Sequence, residues 1–413
     1  MSWLGTPKNG DVRRSGVVTV LDVGSTKVCC MIARLKPQEE SQLLRGRTHQ
    51  VQVIGIGHQK SRGVKSGVVI DLDKAEQSVR LAVDAAERMA GLTVDSLIVN
   101  VAAGRLKSET FGASINLGGH EVEAGDIKRV LVAGAKQALK AEREVVHSLP
   151  TSFSLDGERG IRDPRGMVGT QLGVDMHVLT GDTAPLRNLE LCVNRAHLSV
   201  ERMVATPYAS GLAALVDDEL EMGAACIDMG GGTTTISVFA DGKFAYADSI
   251  PVGGSHVTMD LARGLSTRLD HAERLKVMHG SALPGSGDDR DVVSVQPIGA
   301  DDSEVPIQVP RSAMTRIIRA RIDETLELIR DRLNKSGYGN AVGKRVVLTG
   351  GSSQLAGLPE AAKGPAFSAP VGLLIYPQVA SFESKQAKGS FVPRMTGTGG
   401  TFHRMSQWFR DSF

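Results

Sequence analysis

The residues best placed to do chemistry in this 413-residue chain lie in one stretch, CIDMGGGTTTISVF, from Cys226 to Phe239. An apolar strand (Ala224 to Ile227) runs into Asp228, a glycine run, a threonine run and a second apolar strand (Ile236 to Phe239). Gly230, Gly231 and Gly232 let the backbone turn tightly and approach a ligand with no Cβ in the way. Their amides, followed by the hydroxyls of Thr233 and Thr234, suit phosphate oxygens. Asp228 ends the strand, where a carboxylate could orient water on a magnesium ion bridging those phosphates. Taken alone, the loop reads equally well as a plain hairpin turn.

The plan occurs twice. VTVLDVGSTKVCCMI, from Val18 to Ile32, is again an apolar strand, then Asp22, Gly24, Ser25, Thr26 and Lys27, then an apolar strand. Neither copy is a Walker loop, because no Gly-Lys-Ser/Thr follows and a strand, not a helix, comes next. Two such hairpins half a chain apart predict two similar halves closing on one phosphate chain, with Lys27 reaching the terminal phosphates. Further on, RVVLTGGSSQLAGLPE (345–360) ends a strand in Gly350, Gly351 and Ser352, where a flat base or ribose could lie against bare backbone, and a helix is expected next. In HAERLK, from His271, the spacing of three puts Glu273 and Lys276 on one helical face, where a solvated ion pair is the plain reading.

Strands and helices must position these residues. Val51 to His58 predicts a strand; from Val68 to Met89 the spacing of Ala75, Val79, Ala82, Val83 and Ala86 predicts a helix; Leu97 to Ala102 returns to strand. From about Leu92 to Asp175 the texture changes. Short strands precede a helix (Ala124 to Lys140), then come Glu144 to Leu155, a turn-rich run (Gly157 to Gly169) and a strand (Gln171 to Thr180), together an inserted subdomain. Pro185 to Ala196 reads as helix and Leu198 to Ala205 as strand. Tyr208 to Leu215 is a small-residue helix, suited to a hinge between halves or to ordinary packing. Beyond the second hairpin, Ser281 to Val309 holds two short strands (Val292 to Pro297, Val305 to Val309), and Ser312 to Leu333 is a helix striped by Ile317, Ile318, Ile322, Leu326, Ile329 and Leu333.

Composition narrows the classes. Hydrophobic residues make up 41% and charged residues 23%, as in ordinary globular proteins. The formal net charge of +2 gives no sign of nucleic acid as a partner. Cys29, Cys30, Cys192 and Cys226 lie in or beside apolar runs with no metal-ligand spacing, and read as reduced, buried thiols. Met1 to Ser15 has no apolar signal-peptide core. The uncharged run Gly364 to Phe382 carries Pro365, Pro370 and Pro377, and reads as a helix followed by a loop rather than a membrane span.

Hairpin, hairpin, AERLK helix and GG-S loop, in that order, resemble the superfamily of actin, heat-shock chaperones and sugar kinases. Within it, VLDVGSTKV, CIDMGGGTTTISVF, AERLK and VVLTGGSSQLAGLPE resemble the FtsA family of bacterial cell-division proteins over nearly the whole chain. The resemblance implies an α/β, actin-like ATPase fold: two similar halves around a nucleotide cleft, an inserted subdomain and a C-terminal amphipathic helix. It implies ATP and magnesium as ligands. Asp22, Lys27 and Asp228 would handle magnesium and phosphates, the metal being held through water. Gly230 to Thr234 would cradle the phosphates, Glu273 and Lys276 would approach the ribose, and Gly350 to Ser352 would flank the adenosine. The implied layout is 1–91 and 176–205 for the first half, 92–175 for a filament-joining insert, 206–376 for the second half with an outer subdomain at about 281–335, 377–400 for a linker and 401–413 for a membrane helix. Implied partners are FtsZ, further copies of the chain, membrane lipids and other division proteins, at the cytoplasmic face of the inner membrane. One feature departs from the pattern. LPEAA (358–362) runs almost directly into the last apolar helix, so a helix-plus-strand unit after the GG-S loop is expected to be absent.

The tail has a reading of its own. If unstructured, 377–400 would span about 25–30 Å. In TFHRMSQWFRDSF, Phe402, Met405, Phe409 and Phe413 share a helical stripe with Trp408 at its border, while Arg404, Gln407, Arg410 and Asp411 face away. Such a helix suits the plane of a membrane or, alternatively, docking on the protein's own core. One such anchor binds lipid marginally, so stable attachment would need several tails held together by assembly. A small-molecule kinase of the same superfamily is the competing class; it needs a carboxylate base facing the γ-phosphate and gives the aromatic tail no role. A chaperone ATPase would need a large peptide-binding domain after the core. No residue is marked by position as a general base, so ATP turnover stays open.

Overall fold

A computed structural model describes residues 16–37, 49–102, 105–137, 142–299, 305–342, 345–358 and 368–380. Strands β1 (Val17–Val23) and β2 (Lys27–Pro37) pair antiparallel down to Val23 opposite Val28, leaving Gly24 to Thr26 as the turn. Val18 to Val23 and Val28 to Ala33 are buried without alternation, as strands covered on both faces are. β3 (His49–Lys60) extends the sheet, and the short ladder β4 (Val64–Lys65) with β5 (Val68–Val69) leads into α1 (Leu72–Ala90). The expected stripe Ala75, Val79, Ala82, Val83 and Ala86 is the buried face of α1. Asp71 caps its first turn by accepting from the Lys74 amide, and Gly91, at φ 67°, ends it in the left-handed conformation. β6 (Ser96–Val101) then runs parallel to β1.

The insert follows. β7 (Lys107–Asn116), α2 (Ala124–Gln137), β8 (Arg143–Leu155), β9 (Glu158–Ile161) and β10 (Gln171–Asp182) give an antiparallel sheet in the order β7-β10-β8-β9. Its own apolar cluster includes Val130, Leu172, Val174 and Met176. β9 falls inside the run expected to be turns; Asp156 (φ 49°) and Gly157 (φ 93°) explain it, since an Asp-Gly pair in the left-handed region closes a tight hairpin.

α3 (Thr183–Arg195) and β11 (Ser199–Ala205) complete the first sheet, ordered β11-β6-β1-β2-β3, and α4 (Thr206–Ala214) and α5 (Asp217–Met222) lead out. The second half repeats the beginning: β12 (Ala224–Met229), β13 (Thr234–Ala240), β14 (Lys243–Ile250), α6 (Gly254–Gly264) and α7 (Leu269–His279). β15 (Val292–Val295) and β16 (Ile307–Pro310) form a separate hairpin before α8 (Arg311–Lys335), α9 (Gly339–Val342), β17 (Val346–Thr349), a 3-10 turn at Gly351–Gln354 and α10 (Ser368–Val379). The buried stripe of α8 is Met314, Thr315, Ile318, Ile322, Thr325 and Ile329. Leu326 is 37% exposed, because each residue turns the helix by about 100° and the buried line passes through its neighbour Thr325.

The insert sits on the second half through β14. His177 is held neutral with Nδ1 donating to Phe244 O at 2.9 Å and Nε2 accepting from Ser108 Oγ at 2.6 Å; burial lowers its pKa to about 4. Lys243 Nζ donates to Thr151 O, and Ser249 Oγ donates to Ala102 O at 3.1 Å.

The second sheet, β14-β13-β12-β17, matches β3-β2-β1-β6 strand for strand, and no counterpart of β11 occurs among the described residues. The expected loss of a helix-plus-strand unit agrees with that order. α10 nevertheless packs on α4, so closely that a Cβ on Gly372 would overlap Ala209 O. Among the described residues no helix is long and apolar enough to cross a membrane. In the parallel β12–β17 ladder Ala225 N donates to Arg345 O at 3.0 Å, which turns the backbone groups of Val347 and Thr349 toward β12 and those of Val346 and Leu348 outward. Hydrogen exchange should therefore be about tenfold or more faster at the Val346 and Leu348 amides than at Val347 and Thr349. Equal protection at all four would mean that a strand lies on that edge.

Candidate functional site

The repeated sequence plan is a repeated turn. Gly24 N donates to Lys27 O, and Gly230 N donates to Thr233 O, each at 2.9 Å. The two turns meet face to face: a Cβ on Gly231 would overlap the Thr26 side chain, and one on Gly232 would overlap Ser25. A neighbouring segment, 61–67, also joins them. Ser61 N donates to Thr26 O at 3.0 Å, and Gly67 N donates to Ser25 Oγ at 2.9 Å.

The second turn is tied back by its own carbonyls. Gly230 O accepts from Gly254 N at 3.0 Å and from Ser352 Oγ at 2.9 Å, and Gly231 O accepts from Ser255 N at 2.7 Å. Among the described residues the amides of Gly231, Gly232 and Thr233 make no backbone hydrogen bond. Free amides on bare glycine backbone fit an anion such as a phosphate group.

Behind the turns lie two buried carboxylates. Asp22 Oδ1 accepts from Asn100 Nδ2 at 2.7 Å, and Asn100 Oδ1 accepts from Val23 N at 2.7 Å. Asp228 Oδ2 accepts from Ser210 Oγ. Burial pushes Asp22 up to about 6; the Lys27 ammonium opposes the shift and the nearby Asp228 adds to it. Burial likewise raises Asp228, against the Ser210 hydrogen bond and Lys27. Thr235, the register partner of Asp228 and therefore on the same face, keeps a buried Oγ1 with no partner. Gly350, at φ 88°, closes on this group so tightly that a Cβ would overlap Asp228 Oδ1.

Glu273 and Lys276 join the same centre from α7. Lys276 Nζ donates to Glu273 Oε2 at 2.7 Å, Thr258 Oγ1 at 2.9 Å and Gly254 O at 3.2 Å. Gly254 also abuts Ser352, so the α7 pair, the GG-S loop and the second turn converge on the start of α6. The donor set, two carboxylates with hydroxyls, fits a magnesium ion held through water; no group of three or more His, Cys, Asp or Glu side chains able to hold a metal occurs among the described residues. The structure thus brings together both hairpins, the GG-S loop and the Glu273–Lys276 pair. Asn100, Thr206, Ser210, Thr235 and the 61–67 segment were not legible beforehand. The aromatic tail residues Phe402, Met405, Trp408, Phe409 and Phe413 lie outside the described residues.

Comparison with known proteins gives consistent findings. A family model described as "Cell division protein FtsA" matches residues 225–384, and one described as "SHS2 domain inserted in FTSA" matches residues 103–180. The chain is 64% identical to the cell division protein FtsA of Rhizobium meliloti (strain 1021) over 424 aligned positions, covering 97% of this chain and 96% of that protein. It is 62% identical to the one of Agrobacterium fabrum (strain C58 / ATCC 33970), with the same coverage. An alignment longer than the 413-residue chain requires gaps on this chain's side. Among solved structures, a chain of the PilM-PilN type IV pilus biogenesis complex superposes with a TM-score of 0.55 at 12% identity, covering 89% of this chain and 99% of that one. The fold is actin-like: two similar halves around a cleft, with an inserted subdomain.

Two outcomes follow from this geometry. Gly350→Ala should destabilise the chain by roughly 1–3 kcal/mol or more in chemical denaturation, and by more than Gly91→Ala, whose Cβ would meet nothing within 4 Å. The raised Asp22 gives a pH dependence of known sign: the folded state binds the proton more tightly than the unfolded chain, so stability is lost as pH rises from about 4 to about 6, on the order of 3 kcal/mol for this group. Asp22→Asn should flatten that slope in part, with Asp228 supplying the remainder; an unchanged slope would contradict the assignment.

Proposed function

The chain belongs to the FtsA family of bacterial cell-division proteins, and on that premise we propose that it binds ATP with magnesium, assembles at the cytoplasmic membrane and tethers FtsZ filaments there. The observation that carries the nucleotide part is the pair of buried carboxylates, Asp22 and Asp228, set behind two glycine turns that face each other. Magnesium, when bound, would neutralise phosphate charge and order water between the phosphates and the two aspartates. The chain's own residues do the rest. The Gly231, Gly232 and Thr233 amides receive phosphate oxygens, Lys27 adds a positive charge, and the bare backbone of Gly350 and Gly351 leaves room for the nucleoside. Glu273 and Lys276, locked to each other and to Thr258, present a fixed polar edge beside it.

Binding and scaffolding are the proposed work, with ATP as an assembly ligand. The insert between 92 and 175 would join neighbouring copies. The outer subdomain at about 281–335 would meet FtsZ, a reading supported by the exposed apolar side chains of Leu283, Val292, Ile298, Val305 and Ile307 in that segment. Phe402, Met405, Trp408, Phe409 and Phe413 would enter the lipid interface. Because a single such helix binds membrane weakly, assembly multiplies the anchors and the two processes reinforce each other.

Flotation of FtsZ filaments with anionic liposomes and MgATP tests this, comparing the full chain with a version ending at Gly400. FtsZ should float only with the full chain. Flotation with both versions would place the anchor elsewhere. If neither version floats FtsZ while MgATP binds, the tether reading fails and phosphorylation of small hydroxyl compounds becomes the activity to assay.

A further inference from the structure

Both buried carboxylates are reached from helix α4. Thr206 and Ser210 stand four residues apart and so share one helical face. Ser210 Oγ donates to Asp228 Oδ2. Thr206 Oγ1 accepts from Asn100 Nδ2 at 3.1 Å, and the same amide nitrogen donates to Asp22 Oδ1 at 2.7 Å. With Val23 N donating to its Oδ1, the Asn100 side chain has both of its ends engaged. Each aspartate is thereby gripped by one oxygen only. Asp22 Oδ2 and Asp228 Oδ1 accept no hydrogen bond among the described residues.

The helix that carries these hydroxyls is clamped. Tyr208 stacks on Phe244 with ring centroids 4.5 Å apart and meets His147 and Tyr376 edge-on at 5.0 and 6.0 Å. Gly211 lets Phe239 lie where a Cβ would otherwise stand, and Ala209 O is pressed against Gly372 of α10. Side chains on an element fixed this way hold their partners in one geometry. The orphaned Thr235 Oγ1, on the same face as Asp228, adds a polar group with no protein partner.

We propose that Asn100, Thr206 and Ser210 are positioning residues for the magnesium-bearing phosphates of a nucleoside triphosphate. They fix one oxygen of each aspartate so that the other is presented to water on the metal. A carboxylate free to rotate would lose part of its differential preference for the metal-loaded nucleotide, whereas a fixed one is preorganised for it. This inference rests on the nucleotide reading above and goes beyond it by assigning three residues that do not touch the ligand.

The test is the ratio of equilibrium affinities for ATP measured with magnesium and with a chelator. It is compared among the intact chain, Ser210→Ala, Asn100→Ala and Thr206→Val, with melting temperature followed in parallel. Ser210→Ala and Asn100→Ala should lower the ratio about tenfold, the scale of one hydrogen bond to a charged group. Affinity for metal-free ATP should change much less, and Thr206→Val should lower the ratio by a smaller factor. A ratio that is unchanged or raised, alongside a lower melting temperature, would show that these bonds only satisfy buried carboxylates, and would overturn the proposal. Should the two alanine variants fail to fold, the near-isosteric Thr206→Val decides by the same criterion. If the intact chain itself shows no magnesium-dependent ATP binding, the nucleotide reading falls, and this inference with it.

Discussion

Two carboxylates taken out of water at the meeting of two half-sheets are the constraint on which the rest of this structure depends. An isolated buried carboxylate costs several kcal/mol even after relaxation. The chain offsets that cost locally, with Asn100 on Asp22, Ser210 on Asp228 and the Lys27 charge acting on both. The surroundings follow from this. β1 and β12 must be covered on both faces to bury the aspartates at their ends, so β1 is buried from Val18 on and β12 along its whole length. Helix α4 must lie against both halves, so its sequence is small and its Tyr208 is packed among aromatic rings from the insert, the second half and α10.

The internal symmetry is close but incomplete. Each half opens with the same hairpin, adds a third antiparallel strand and returns through a helix to a parallel strand. In the first half a further helix and strand, α3 and β11, follow before α4. In the second, Leu358 and Ser368 are too close in sequence to hold such a unit, and α10 follows directly. The crossing of α10 on α4 survives because it depends on residues within the two helices, Gly372 against Ala209, rather than on the sheet edge. The outward groups of Val346 and Leu348 are the local consequence, with Val346 45% exposed.

Much of this was legible in the sequence because it is carried by period and repetition. The α1 stripe, both hairpins and the GG-S loop announce themselves as apolar spacing broken by Asp-x-Gly or paired glycines. The residues that hold the aspartates do not. Asn100 and Ser210 come from β6 and α4, distant in sequence from the turns they serve, and their types are ordinary for a strand end and a small-residue helix. Only the fold brings them to the carboxylates. The Leu326 position shows a different limit: apolar type suggested burial, whereas the helical period placed Thr325 on the buried line instead. The β9 hairpin, by contrast, has a readable signal in Asp156-Gly157, a pair suited to the left-handed turn that joins two strands, set among further turn-forming residues.

In the proposed reading, Asp22 and Asp228 jointly receive a magnesium-bound nucleotide between the halves. The decisive measurement is equilibrium binding of ATP in the presence of magnesium to the intact chain, Asp22→Asn and Asp228→Asn. Saturable binding at one site per chain is expected, weakened about tenfold or more by either substitution in variants that remain folded. Equal affinity in all three proteins would contradict it.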